Sequence, residues 1–499
     1  MDDHLAAIDL GSNTFRLSIG RVVQRAGNAQ IYSVDRLRES VRMAEGLDDQ
    51  KILSQDAVDR AIAVLKRFGE RLAGFPASSV RAVATNTFRV ARNAHDILPV
   101  LEAALGFPIE IVSGQEEARL IFSGVANELP PSESRRLVID IGGGSTEFII
   151  GCGYKPIHMA SLYMGCTSYT KRFFPDGRIT EARMQQAQLA AGREIETIAR
   201  LYRRTGWREA YGSSGTAKGL LAVLTENGFS KQGITLSGLK KLRKGLIEAG
   251  TVRLEDWKGL KAERAPILGG GLAIMLAAFQ GMNIHTMQPG DGALRTGVLY
   301  DLLGRDSHHD KRDETVRLFV KRYQIDVAQA ERVTRLALEL FDQTDTQTDP
   351  RHVELRQSLA WAAMLHEAGL SIAHSDYHKH SAYILEHADM PGFSRDDQAL
   401  LAFLALGHQG KLGKLHHSAV SRIHWLALSC LRLAVLLLRR REAIDSTPIR
   451  LEASDNNLDI HVNAQWLAEH PLGEYSLKAE LGIWHKNELN VRLLEAAAE

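Results

Sequence analysis

Ala7-Ile8-Asp9-Leu10-Gly11-Ser12-Asn13-Thr14 and Val138-Ile139-Asp140-Ile141-Gly142-Gly143-Gly144-Ser145-Thr146 are two versions of one pattern, about 130 residues apart. Each sets an aspartate at the end of an apolar, strand-forming run and follows it with a turn of small residues. Glycines let backbone N–H groups approach an anion closely, the hydroxyls of Ser12 and Ser145 add donors, and the aspartates can hold a hard cation through its waters. A single Asp-x-Gly turn at a strand end does no more than reverse the chain. Its repetition, with strands on both sides, points to two similar subdomains facing each other across a phosphate-binding cleft.

Outward from these turns, β-rich runs at 5–9, 16–23, 30–35, 80–85, 109–113, 137–141, 146–150 and 210–213 alternate with amphipathic segments. This is the pattern of an α/β fold with mostly internal strands. Helices are predicted over 55–73, where Val58, Ile62, Leu65, Phe68 and Leu72 share one face, and over 183–203. The polar stretch 304–313 breaks the alternation. Beyond it 327–341, 353–365, 381–387 and 396–406 carry helix-spaced apolar residues, and a β signal returns near 446, as in 458–462. The expected organisation is 1–130 and 131–304 as paired subdomains, 313–445 as a helical domain and 446–499 as a small α+β tail.

Composition bounds the function. Among 499 residues, 61 Lys and Arg balance 60 Asp and Glu, which excludes a wholly basic nucleic-acid coat or an acidic tail protein. No nucleic-acid partner is expected. Cys152, Cys166 and Cys430 have no CxxC or Cys/His spacing, which argues against a disulfide scaffold or a zinc site. Met1-Asp2-Asp3-His4 runs into a strand-like segment without a basic start or apolar run, so a cytoplasmic enzyme is expected. The most apolar stretch noted, 425–438, is too short to span a bilayer and carries Arg432; a buried helix and no membrane span are predicted. There is no GxxxxGK[ST] loop and no GxGxxG after a strand.

The two loops resemble those of the actin-like (ribonuclease H-like) phosphotransferase superfamily, which includes sugar kinases, acetate kinase and chaperone ATPases. The ordered series 9–17 (DLGSNTFRL), 85–89 (TNTFR), 113–119 (SGQEEAR), 140–148 (DIGGGSTEF), 212–216 (GSSGT) and 291–300 (DGALRTGVLY) is more specific. It is similar to the exopolyphosphatases and guanosine pentaphosphate phosphohydrolases, and the similarity covers nearly the whole chain. That resemblance implies a hydrolase that removes the terminal phosphoryl group of a phosphate chain. It gives Glu117 the role of orienting and deprotonating the attacking water. Arg89 is assigned to phosphate oxygens and developing charge. Asp140, Glu147 and Asp9 are the metal-associated acids, with Mg2+ as the cation. Gly11, Ser12, Asn13, Gly142, Gly143, Gly144 and Ser145 form the phosphate loops. Gly212, Ser213, Ser214, Gly215 and Thr216 add donors at a helix start. Glu116 is read as a charge complementing a helix N-terminus.

The helical region resembles the HD phosphohydrolase fold of long family members. Glu367 stands beside His366 where an aspartate would be expected, and His366, His374, His378 and His380 are read as capping and packing residues. Between 407 and 450, Lys411, Lys414, Arg422, Arg432, Arg439, Arg440, Arg441 and Arg450, with His408, His416, His417 and His424, face only Glu442 and Asp445. This is either a solvated helix face or a groove for a long polyanion.

Inorganic polyphosphate is the expected substrate, because Gly142-Gly143-Gly144 and the run His374 to Ser381 resemble the exopolyphosphatase branch more than the nucleotide branch. Guanosine pentaphosphate (pppGpp), converted to ppGpp, is the alternative, and both activities can coexist. Two further classes are weighed. An ATP-dependent kinase would need an adenosine pocket, for which Gly269-Gly270-Gly271 is the one candidate, though it better suits close helix packing. A phosphate-chain sensor would have no need of a water-activating base such as Glu117. A homodimer is expected by resemblance alone.

Overall fold

The computed structural model describes residues 3–25, 28–290, 292–306, 310–349, 351–415, 421–444, 447–454, 457–484 and 490–496. Asp291, His416, His417 and Asp445, noted above, lie outside them. The chain divides once, into a unit of Met1–Asp310 and a unit of Lys311–Glu499.

The first unit repeats one arrangement twice. β1 (His4–Leu10), β2 (Thr14–Arg25) and β3 (Asn28–Ser40) form an antiparallel meander, extended on the β1 side by the parallel strands β4 (Val80–Ala84) and β5 (Ile109–Ile111). β6 (Arg135–Ile141), β7 (Thr146–Cys152) and β8 (Lys155–Leu162) form the second meander, extended by β9 (Glu209–Gly212). β10 (Ile234–Thr235) and β11 (Thr286–Pro289) complete that sheet, in the order β10-β11-β9-β6-β7-β8. This is the duplicated actin-like architecture, and the repeat is kept at the level of register. Asp9 pairs with Arg16 across the first hairpin, Asp140 with Glu147 across the second. Four residues separate paired Leu10 and Phe15, and four separate Ile141 and Thr146.

Strands β8, β10 and β11 fall outside the sequence expectation for local reasons. β8 mixes partly buried and exposed positions, β10 has two residues, and β11 ends on a proline that cannot donate to a ladder.

Helix Gly114–Glu128 is packed between the two sheets. Its Leu120, Ile121, Phe122 and Val125 share one core with Ala7 and Val83 of the first sheet, Val138 and Ile149 of the second, and Val298 of helix Leu294–Asp306. The two helices meet so closely that a Cβ on Gly297 would run into the Leu120 carbonyl. Ser113 caps the first helix by accepting from Glu116 N–H at 3.1 Å.

Glu116 departs from its expected role. It is fully buried and accepts from Arg119 Nε at 2.7 Å. Arg119 also binds Asp301, which takes Arg81 Nη1 at 2.7 Å, while Arg81 reaches Glu110 at 2.8 Å. This buried network ties the start of helix Gly114–Glu128 to β4, β5 and helix Leu294–Asp306. Burial opposes ionisation of Asp301, yet Arg119 and Arg81 hold its carboxyl below the usual range. Asp301→Ala leaves two buried cations short of a partner, and the expected loss of stability is about 3–5 kcal/mol at neutral pH. Because the folded-state pKa is depressed, this contribution is present above the ordinary aspartate range and fades as pH falls through the folded value. Thermal unfolding of both proteins at neutral and acid pH checks it; equal transitions at neutral pH would contradict the assignment.

Ala265–Met282 is long and apolar enough to cross a membrane, a stretch the sequence reading passed over, and 72% of it is buried. It packs on helix Glu181–Thr205 as a core element. Gly270 within it abuts the backbone of helix Cys166–Phe173, a close approach that any Cβ would block.

The second unit has one core. Leu336, Leu359, Leu404 and Leu428 of four helices share it with Leu451, Leu458 and Ile460 of a three-stranded sheet and with Trp484. The sheet comprises β12 (Ile449–Ser454), β13 (Asn457–Asn463) and β14 (Asn490–Ala496). The α+β tail therefore shares the core of the helices before it. Arg432 is 3% exposed, paired with Glu480 and bound to the Gly407 carbonyl, so it is not part of a solvated basic face.

Candidate active site

The two equivalent turns meet. Gly143 faces Ser12, and a Cβ on Gly144 would strike the Asn86 amide. Together they line a cavity of about 120 Å3 with Asp9, Gly11, Asn13, Gly142, Ser145, Asp140, Glu117, Ser213, Ser214 and Gly215. Neighbouring backbone fixes both turns. Asn13 carbonyl accepts from Val41 and Arg42 N–H at 3.0 and 2.9 Å, and Ser12 carbonyl from Ala44 at 2.9 Å. Gly142 carbonyl accepts from Cys166 at 2.9 Å and Gly143 carbonyl from Thr167 at 3.0 Å. Gly142 N–H closes its own turn on the Ser145 carbonyl at 2.9 Å, and with these groups engaged the other amides of the turns are what an anion can reach.

Other expected site residues lie beside the cavity rather than on its wall. Glu147 is 1% exposed and accepts from Ser161 Oγ at 2.8 Å. Thr216 donates to the Ile141 carbonyl at 2.9 Å, and Gly212 sits at the end of β9, its carbonyl accepting from Gly290 N–H at 2.9 Å. Ser213 is bound to the Asp140 carboxylate, and Ser214 caps helix Gly215–Glu226 by accepting from Ala217 N–H at 3.1 Å. Both hydroxyls therefore serve local structure, and of the segment 212–216 the cavity wall takes Ser213, Ser214 and Gly215.

Arg89 points at Glu117. Its Nη1 donates to Glu117 Oε2 at 2.6 Å and to the Val112 carbonyl at 3.1 Å, with the Arg89 side chain 4% exposed. The geometry that is seen positions the glutamate, where the sequence reading had placed this guanidinium on phosphate.

Four buried carboxyls lie on or beside the cavity wall. Burial pushes the proton affinities of Asp9, Glu117, Asp140 and Glu147 upward, and mutual repulsion adds to the last three; Glu147, facing Glu117 and Asp140, is raised furthest. Arg89 opposes the rise at Glu117, and Arg16 and Arg295 oppose it at Asp9. A hard cation would relieve this repulsion, and all four groups are oxygen donors of the kind magnesium takes. Among the described residues no three His, Cys, Asp or Glu side chains converge closely enough to chelate an ion directly. The set therefore fits an ion that keeps most of its waters and shares phosphate oxygens.

Three arginines were not singled out from sequence. Arg16 and Arg264 line the cavity, and Arg295 donates to Ser18 at 2.8 Å with Nη1 3.8 Å from Asp9. Burial, and crowding by Arg16 and Arg38, lower the pKa of Arg264; burial, Arg16, Arg36 and Arg38 push that of Arg295 down to about 10. Such crowding of buried cations is relieved by a bound anion. Arg16 had a usable signal, since it pairs with Asp9 across the hairpin. Arg264 lies in a 3-10 connection and carries none.

The comparisons with known proteins agree along the chain. Residues 22–306 match the Ppx/GppA phosphatase family and residues 311–481 match Ppx/GppA phosphatase, domain III. The guanosine-5'-triphosphate,3'-diphosphate pyrophosphatase of Aeromonas hydrophila is 38% identical over 495 residues, 98% of this chain and 99% of that one. The crystal structure of the Aquifex aeolicus member of the Ppx/GppA family is matched with a TM-score of 0.52 at 26% identity, over 61% of this chain and 99% of that one. An exopolyphosphatase from Cytophaga hutchinsonii shares the fold, with a TM-score of 0.53 at 24% identity over 60% of this chain and 98% of that one. This chain belongs to the Ppx/GppA phosphatase family and is a hydrolase of phosphoanhydrides.

Proposed function

We propose that this enzyme hydrolyses guanosine pentaphosphate at its 5' end, releasing orthophosphate and guanosine tetraphosphate. The observation that carries the choice is the 38% identity, over almost the full length of both chains, to a pyrophosphatase named for that nucleotide. Polyphosphate, the first expectation from sequence, becomes the second reading. Gly142-Gly143-Gly144 would meet a terminal phosphate in either substrate. Of the run His374 to Ser381 only His378 and Ser381 are buried, Ser381 Oγ donating to the His366 carbonyl at 2.7 Å and accepting from Gly369 N–H at 2.8 Å, while His374, expected to pack or cap, is exposed.

In this reading the terminal phosphate lies between the two turns, its oxygens on backbone N–H groups. Glu117 accepts a proton from water as the water oxygen bonds to phosphorus. The bridging P–O bond breaks, and the shortened nucleotide leaves with the electron pair on oxygen. Arg16, Arg264 and Arg295 supply positive charge beside the phosphate chain. Asp140, Glu147 and Asp9 would hold Mg2+ through its waters, and the ion would neutralise phosphate charge there. Asp140→Asn is expected to raise the magnesium concentration needed for half-maximal rate by about tenfold and to slow turnover; an unchanged magnesium titration would remove Asp140 from the cation site.

Phosphate release from guanosine pentaphosphate and from long-chain polyphosphate, measured side by side with magnesium, tests the substrate. The expected result is a kcat/KM at least about tenfold higher for the nucleotide, a difference of roughly 1.4 kcal/mol in transition-state binding. The reverse order would make the enzyme an exopolyphosphatase and leave the site chemistry standing.

A further inference from the structure

The helical unit holds a second cavity of about 740 Å3, several times the 120 Å3 of the phosphate cleft. That is space for a nucleotide-sized ligand and far more than one inorganic anion fills. Four of the charges on its wall cancel in pairs, Arg432 with Glu480 and Arg441 with Glu367. Arg439, exposed on the same wall, has no ion-pair partner among the described residues.

The same wall also holds a buried acceptor. His366 is 1% exposed, and its Nδ1 lies 2.7 Å from the Ala363 carbonyl. That nitrogen must carry the proton, so Nε2 presents a lone pair. His408 is held the same way, Nδ1 at 2.6 Å from the Ala405 carbonyl, but Tyr377 Oη stands 3.1 Å from its Nε2. His366 Nε2 has no counterpart of that hydroxyl among the described residues. Burial lowers the pKa of both rings, which keeps His366 a neutral acceptor. At the rim, Tyr475 is 73% exposed and offers an aromatic face. The wall thus lacks one anion, one hydrogen-bond donor and one flat partner.

We propose that this cavity binds a nucleoside phosphate, with its phosphate on Arg439, a ribose hydroxyl or base N–H donating to His366 Nε2, and its base against Tyr475. A bare metal ion suits the wall less well. Glu367 is already held by Arg441, and no third ligand converges on the two imidazoles among the described residues. The site belongs to the second unit and does not depend on which phosphate chain the first unit cleaves.

Calorimetric titration of the full chain with GMP, AMP, ribose 5-phosphate and orthophosphate tests this directly. Nucleoside monophosphates are expected to bind, ribose 5-phosphate more weakly and orthophosphate least. Arg439→Glu and His366→Ala should each weaken nucleotide binding by at least about tenfold, and Arg439→Glu should leave the KM for the phosphate chain unchanged, separating this cavity from the catalytic cleft. Arg439 is exposed, so its variant folds whatever the buried histidine variant does. Absence of nucleotide binding at millimolar concentration, or equal binding by wild type and Arg439→Glu, would overturn the proposal. So would tight Mn2+ binding that His366→Ala abolishes and Arg439→Glu leaves intact, because the site would then be a cation site.

Discussion

Glu117→Gln should lower turnover by about 10³-fold, inside the 10²–10⁴ range that a general base contributes, with KM little changed. Glutamine has nearly the same shape, and its carbonyl can still accept from Arg89. The side-chain network that anchors helix Gly114–Glu128 runs through Glu116, Arg119 and Asp301 and is untouched. What is lost is the lone pair that takes a proton from water. The wild-type rate should also fall on the acid side, with its midpoint above the ordinary glutamate range. Burial and the neighbouring Asp9 and Asp140 raise the Glu117 pKa more than Arg89 lowers it. In the Gln variant the residual rate should lack that limb. Near-wild-type turnover, or an acid limb that survives the substitution, would dismiss Glu117 as the base.

Much of this site could be seen in the sequence because two of its parts are local. A strand with aspartate in its penultimate position, followed by four small residues, is a continuous signal, and its second copy at 138–146 disclosed the duplication that the register Asp9↔Arg16 and Asp140↔Glu147 displays. What stayed hidden is made by contacts distant in sequence. Glu116 looked like any acid in a first helical turn, and only the convergence of Arg81, Arg119 and Asp301, from positions up to 220 residues apart, shows it as part of a buried network. Arg264 reaches the cleft from an irregular connection with no motif around it. Arg432, counted from sequence in a basic face, is an interior residue because Glu480 arrives from a later helix. Substrate choice was hidden for a different reason: the residues that meet the terminal phosphate would do the same work on either chain.

The sharpest test of the geometry is Arg89. A guanidinium that binds the transferring phosphate and one that holds the base predict different behaviour, and the 2.6 Å contact with Glu117 favours the second. Arg89→Ala should reduce kcat by about 10²-fold, with KM nearly constant, because the base loses its partner while the phosphate loops keep theirs. It should also shift the acid limb. Arg89 lowers the Glu117 pKa by charge and by hydrogen bond; without it, burial and the nearby carboxyls act unopposed. The limb then moves to higher pH, and the rate loss is larger at pH 6 than at pH 8. Arg89→Lys, which restores charge but not the forked geometry, should return the limb toward wild type while recovering only part of kcat. If instead KM rises strongly and the limb stays in place, Arg89 contacts substrate phosphate, as the sequence reading had it.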